Sequence, residues 1–391
     1  MSCSAYISSN ANRLYAAREA GYGQVPAITA GNRFPAVKLT TRQQLDVADR
    51  KDKTGSRTFG GVPTGSRKRT SFQLRTYMTG WDQNGEPGYG PLFEASLGGS
   101  PLLFTGGVLA AGTTQSQLVF NAVHGLISGQ AVTHGGELRF VDAVVNDSTA
   151  ILNAPLSVTP MAGSPVGPTV TYMLQTQLPS VSVFDYWSPA TSVQRILAGA
   201  AVDRLDIQIN GDYHEFEFRG GAQDILDSVS FASGMGALSS FPAEPAPDVF
   251  DYTIIPGHLG QAWLGANPER FYTITDATVR LENDIDFRAR EFGSALARCL
   301  APGRRSVSAN FSLYEQDDEA HKALYQAARQ QSPIAVMFQL GQQSGQLFGA
   351  YMRSVVPEVP DFDDSDRRLQ WAFRDARAQG TIDDELVVAF G

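Results

Sequence analysis

Strict two-residue alternation of apolar and polar side chains recurs along this chain, and it limits what the chain can fold into. Over residues 71–78, Phe72, Leu74, Thr76 and Met78 fall on one face, with Ser71, Gln73, Arg75 and Tyr77 on the other. Over 306–314, Val307, Ala309, Phe311 and Leu313 alternate with Ser308, Asn310 and Ser312. Leu205, Ile207 and Ile209 alternate with Asp206 and Gln208, and Phe216 and Phe218 with Glu215 and Glu217. Neighbouring side chains of a strand point to opposite sides, so each segment reads as a strand with one buried and one polar face. Asn210–Gly211 predicts a two-residue turn closing a hairpin over 202–219. With 38 Gly and 21 Pro to punctuate them, many short strands joined by turns are expected, and helix is a minority.

Two helices are expected. One covers 90–97 and stops at Gly98–Gly99. The other covers 318–330, capped by Asp317, with Ala320, Ala323, Leu324, Ala327 and Ala328 as a narrow apolar face. Residues 1–35 read as an extended arm around one helical turn, and 36–41 as a strand. Residues 105–175 carry four strand-like runs separated by Gly, Asn-Asp-Ser and Pro clusters, which suggests a separate small β unit. Three prolines between Pro242 and Pro247 mark a linker over 234–250.

RKRTSFQLRTY followed by the first helix parallels RRSVSANFSLY followed by the second, the same order twice. The expected fold is therefore mainly β: two tandem β-barrels or sandwiches, each with a flanking α-helix, plus a small inserted β subdomain. The first barrel spans 1–104 with 176–233, the insert 105–175, the linker 234–250 and the second barrel 251–391.

Chemistry is hard to find. The chain has no Walker A loop, no G-x-S-x-G elbow and no H-E-x-x-H pair. Gly234-Met-Gly236 opens a dinucleotide pattern but lacks its third glycine. The five histidines are scattered, and Cys3 and Cys299 imply neither a disulfide framework nor a Cys-based zinc site. Asp361, Asp363, Asp364 and Asp366 lack the Gly and Glu positions of a calcium loop and read as a solvated acidic turn. Glu215 and Glu217 share a strand face, which is the geometry of a polar surface more often than of a glycosidase pair. No enzyme, cofactor or metal is expected.

No apolar run approaches membrane-spanning length and no export signal opens the chain, so synthesis in a reducing cytoplasm is expected. Net charge is −9, which disfavours gripping nucleic acid. Against that background residues 42–75 hold nine basic and three acidic residues, a long loop or hairpin suited to an acidic patch on another subunit.

Several of these segments together resemble the tail tube proteins of long-tailed phages: NRLYAAREAGYGQVPAITA, DRKDKTGSRTFGGVPTGSRKRTSF, TYMTGW with GPLFEASLGG, and the run from PGRRSVSANFSLYEQDD to GTIDDELVVAFG. The resemblance implies tube-type barrels that join edge to edge into rings, which stack with a long loop sealing each junction. It implies a virion protein forming the conduit for double-stranded DNA, made in the host cytoplasm. Its partners would be itself, tape measure, tail terminator and baseplate or distal tail proteins, and DNA that passes unbound, with no membrane. Duplication favours three chains over six per ring. Asp206, Gln208, Glu215, Glu217, Arg280 and Glu282 are expected to face the lumen as an acidic or neutral surface, beside Thr278. Arg50, Lys51, Lys53, Arg57, Arg67, Lys68 and Arg69 are expected to meet Asp317, Asp318, Asp361, Asp363 and Asp364 of the next ring. A distal tail or baseplate ring protein is the alternative reading. A carbohydrate-binding β module, with Trp187, Trp263 and Trp371 as its platform, is a more distant one.

Overall fold

The structure, a computed structural model, describes residues 6–47, 52–53, 55–61, 65–246, 252–287 and 291–391. Its principal elements are β1 (Asn12–Arg18), β2 (Ala36–Asp46), β3 (Arg67–Tyr77), α1 (Gly90–Leu97), β4 (Thr169–Met173) and β5 (Val181–Trp187). The chain continues through β6 (Arg195–Ile209), β7 (Glu215–Ala222), β8 (Gly260–Gly265), β9 (Ile274–Glu282), β10 (Ser306–Tyr314) and α2 (Glu319–Gln330). It closes with β11 (Ile334–Leu340), β12 (Phe348–Val356), β13 (Asp361–Asp363), β14 (Gln370–Ala378) and β15 (Val387–Phe390).

Three antiparallel layers follow from the pairing. The first runs β2-β3-β7-β6-β9-β10-β14-β13. The second runs β4-β15-β12-β11-β8. The third joins β1, β5 and the first half of β6. Because β6 is 15 residues long, it serves the third layer with one end and the first with the other. Alternation sets the faces: Thr76, Phe216, Ile207, Val279, Ala309 and Ala376 lie opposite one another across six strands, and all are buried.

Between the first and second layers lies α1, all eight of its residues buried. Phe93 is fully buried, its ring 5.1–5.9 Å from those of Phe216, Phe218, Tyr172, Phe348 and Phe390. The helix is short because Gly98 takes a left-handed φ of 91° as its C-cap, donating to the Glu94 carbonyl. A Cβ there would come within 2.5 Å of the Gln177 carbonyl oxygen, so only glycine fits. Glu94 on the same helix is buried; desolvation raises its carboxyl pKa, opposed by an ion pair with Arg18 at 3.0 Å.

The structure departs from the sequence expectations at several points. The supposed arm contains β1, whose Leu14, Tyr15, Ala16 and Ala17 are all buried because both its faces are covered. The strand expected over 36–41 extends to Asp46, taking in part of the basic stretch. The hairpin turn is longer than two residues: Gln208 pairs with Glu215, leaving 209–214 as the connection, with Asn210 at φ 61°. Helix α2 starts one residue later than expected and is capped by Asp318, which accepts from the His321 amide. Its buried residues are His321, Leu324 and Ala328, while Ala323 is exposed.

Domain limits shift as well. Thr169–Met173, expected inside the 105–175 unit, pairs with β15 and with Leu102–Phe104 in the second layer. The strands Gln117–Val119, Ala131–His134, Glu137–Asn146 and Thr149–Leu152 form a four-stranded sheet of their own. That sheet is pinned to β8 and β11 by Arg139, wholly buried, which donates to Glu137, Gln261 and Gln339. The described part of the proline-rich segment is held too, since Glu244 accepts from Arg13 and Tyr15. The two halves of the chain share one hydrogen-bonded network through β6–β9 and β4–β15.

Because five aromatic rings from two layers converge on Phe93, Phe93→Ala should lower unfolding free energy by about 4 kcal/mol. Urea denaturation of the unassembled chain measures this, and an unchanged midpoint would show that α1 does not organise the core.

Candidate assembly surfaces

The outer face of the first layer is a field of polar side chains in register. One row reads Thr40, Gln73, Arg219, Arg204, Glu282, Ser306. The next reads Lys38, Arg75, Glu217, Asp206, Arg280, Ser308, Arg377, and a third Tyr77, Glu215, Gln208, Thr278, Asn310. Asp206, Gln208, Glu215, Glu217, Thr278, Arg280 and Glu282 therefore share one face.

This face is not acidic. Asp206 is buried beneath two guanidinium groups, accepting from Arg204 at 2.7 Å and Arg280 at 2.8 Å. Glu217 is likewise buried and accepts from Arg219 and Gln73. Glu215 pairs with Arg75, and Arg204 also reaches Glu282 at 3.6 Å. Those partnerships raise the Arg75 and Arg219 pKa values above the ordinary guanidinium range. The three rows hold six cations and four carboxylates, with the cations outermost. The arginines alternate in sequence with the acids, so a strand-by-strand count of acidic residues missed their neutralisation across strands.

The two ends of this layer differ. Beyond Asp46 and Arg67, the β2–β3 ribbon opens into the long basic loop, where Lys53 and Arg57 are exposed. Arg50 and Lys51 lie outside the described residues. Arg67, Lys68 and Arg69 lie in β3: Lys68 pairs with Asp224 at 3.1 Å, Arg67 donates to the Glu291 carbonyl, and Arg69 is 4.0 Å from Asp46. At the far end, past Tyr77 and Tyr314, stand Asp317, Asp318, Asp361, Asp363 and Asp364. All but half-buried Asp318 are exposed. Asp361 pairs with Arg374 and Asp317 with Lys322; Asp318 caps α2, and its pKa is lowered by hydrogen bonds from His321. Thus a basic loop and an acidic group leave opposite ends of one sheet.

The side edges of this layer are open. Among the described residues β2 pairs only with β3, and β13 only with β14. β2 is an 11-residue edge strand exposing Val37, Lys38, Arg42 and Leu45. Unpaired edges are templates for another strand.

Among the described residues no three His, Cys, Asp or Glu side chains converge to hold a metal. Trp263 and Trp371 are buried, so they build no carbohydrate platform with Trp187. No described helix is long and apolar enough to cross a membrane.

Fold and surface together define a mainly β structural protein, with an open sheet edge and ends of opposite charge. A model of the phage tail tube protein family matches residues 9–384, and the chain belongs to that family. It is thus a structural component of the virion tail, in a family of tube proteins and not of enzymes. Among solved structures it is similar to the tail tube of phage SPP1, determined by solid-state NMR and cryo-EM. Identity there is 14% and the TM-score 0.26, over 33% of this chain and 81% of that one. No curated protein sequence matches the chain.

Removing the carboxylates that sit under the arginines should unmask cationic charge. The double variant Asp206→Asn, Glu217→Gln should acquire double-stranded DNA binding that weakens steeply with salt. DNA retention at 50 and 200 mM salt checks this, and equal retention of variant and unmodified chain counts against charge masking.

Proposed function

We propose that this chain polymerises into stacked rings whose central channel conducts double-stranded DNA during ejection, with the polar face of the first layer lining that channel. The observation that carries the reading is the placement of a basic loop and an acidic group at opposite ends of one sheet. Head-to-tail stacking puts those ends against each other at every ring junction. Individual exposed pairs contribute roughly 0–1 kcal/mol, so the junction draws its strength from repetition around the ring.

Lateral closure uses the open edges. The β2 edge of one chain pairs with the β13–β14 edge of the next, which removes the open edges of the first layer once the ring closes. The parallel order of strand, loop and helix in the two halves supports a duplicated tube-type barrel, with the separate four-stranded sheet between Gln117 and Leu152 outside the ring. Three chains then supply six repeats. The face proposed to line the channel carries Arg75, Arg204, Arg219 and Arg280 held by carboxylates, beside exposed Lys38 and Arg377. Asp206, Gln208, Glu215, Glu217, Arg280 and Glu282 are its lining residues. Tape measure, terminator and distal tail proteins are the proposed partners at the tube ends.

Two measurements test this. Charge reversal of the loop, Lys53→Glu with Arg57→Glu, should yield folded subunits that fail to form tubes by negative-stain microscopy. Normal tubes would remove the loop from the junction. Cryo-EM of the polymer should show three chains per ring, and six would refute the duplicated arrangement.

A further inference from the structure

Two loops leave the basic end of the first layer, and each carries an exposed phenylalanine in a similar setting. The β2–β3 loop reads Arg57-Thr-Phe59-Gly60, and the β9–β10 loop reads Arg290-Glu-Phe292-Gly293. Phe59 is 70% exposed and Phe292 fully so. The loops lie together, since the Lys68 amide donates to the Ala295 carbonyl at 2.9 Å. Placing a bare phenylalanine in water is unfavourable by roughly 25 cal/mol per Å² of apolar surface. Two at one end of one molecule point to a surface that becomes covered.

The opposite end carries two cavities in matching positions. One, of about 420 Å³, lies where the chain enters β2 and leaves β3, and includes Arg33, Phe34 and Trp81. The other, of about 240 Å³, lies where the chain enters β9, and includes Arg270, Phe271 and His214. An Arg-Phe pair thus precedes the leading strand in both. A cavity of roughly 150 Å³ accepts a benzene ring, so both are large enough for a phenylalanine side chain.

Each cavity also holds a buried polar atom without a partner. The Trp81 Nε1–H has no acceptor, and the His214 Nδ1 no donor. His214 Nε2 bonds to the Leu259 carbonyl at 3.0 Å and so carries the proton, leaving Nδ1 as a bare acceptor. Burial depresses the His214 pKa, which keeps the ring neutral. Buried polar atoms left unpaired are costly, so the wall of each cavity is incompletely satisfied in the lone chain.

We infer that Phe59 and Phe292 are knobs that seat in these two cavities on a chain of the adjacent ring, Phe59 in the Trp81 cavity and Phe292 in the His214 cavity. The inference rests on the head-to-tail stacking proposed above and gives that junction its apolar contacts. Charge at the first cavity is mixed, with Asp82 and Glu86 lining it beside Arg33, and Arg57 stands two residues before Phe59. Reach permits the first pairing: Phe59 lies eight residue steps before Arg67, enough to span roughly 26 Å beyond the ribbon.

The test uses the full chain assembled into tubes, with a photo-crosslinking phenylalanine analogue at position 59 or 292. Cross-links from position 59 should map to residues 31–35 or 79–89 of another chain, and those from 292 to 257–262 or 270–274. Interchain cross-links outside both cavities would overturn the seating while leaving ring stacking intact. Cross-links confined to one chain would overturn the seating and take both loops out of the ring junction. Independently, Phe59→Ala should raise the critical concentration for assembly at least tenfold and Phe59→Leu by less, with unchanged subunit melting. An Ala variant that assembles like the unmodified chain would refute the knob even if the analogue blocks assembly.

Discussion

The packing of α1 between two sheets is the constraint on which the rest of the structure depends. An eight-residue helix contributes little intrinsic stability, because nucleation is costly and few bonds repay it. It persists here because every one of its residues is buried, and because Phe93 meets aromatic rings from β4, β7, β12 and β15 at once. Two of those strands come from the first half of the chain and two from the second. The helix therefore ties halves that are far apart in sequence, and the first layer keeps its polar rows aligned only while its inner face rests on this cluster.

Much of this was legible in the sequence where one physical rule acted alone. Strands β3, β7, β9 and β10 have one wet and one dry face, so their period-two pattern survives in the residues. The α1 boundary was visible because Gly98 has no substitute. What could not be read were the places where both faces of a strand are covered. β1 lost its alternation because Leu14 and Ala16 face one core and Tyr15 another, so it looked like an arm. β4 was assigned to the inserted unit because nothing local records that its partner is β15, more than 200 residues away.

The residues of the polar face show a different limit. Their shared face follows from alternation. Their pairing with arginines could not be read the same way, because it depends on register between strands. Asp206 owes its environment to Arg204 two residues before it and to Arg280 across the β6–β9 pair. A single strand read in isolation shows the carboxylate and hides its cross-strand partner. Pairing in a sheet makes charge a property of rows rather than of segments, and the rows exist only after folding.

That distinction bears on how an acidic chain can carry a strongly basic segment without harm. The acidic residues are unevenly placed: some stand at the end remote from the loop, and some lie beneath arginines on the polar face. Charge separated along the sheet axis gives the chain a polarity. Charge paired within the sheet is instead committed to the chain's own arginines. One fold thus uses acidic residues in two ways, and burial decides between them. Asp206 and Glu217 are desolvated and committed to their own chain, whereas Asp363 and Asp364 remain exposed to neighbours. The interior therefore organises the surface twice, first by fixing the rows and then by fixing which carboxylates stay exposed.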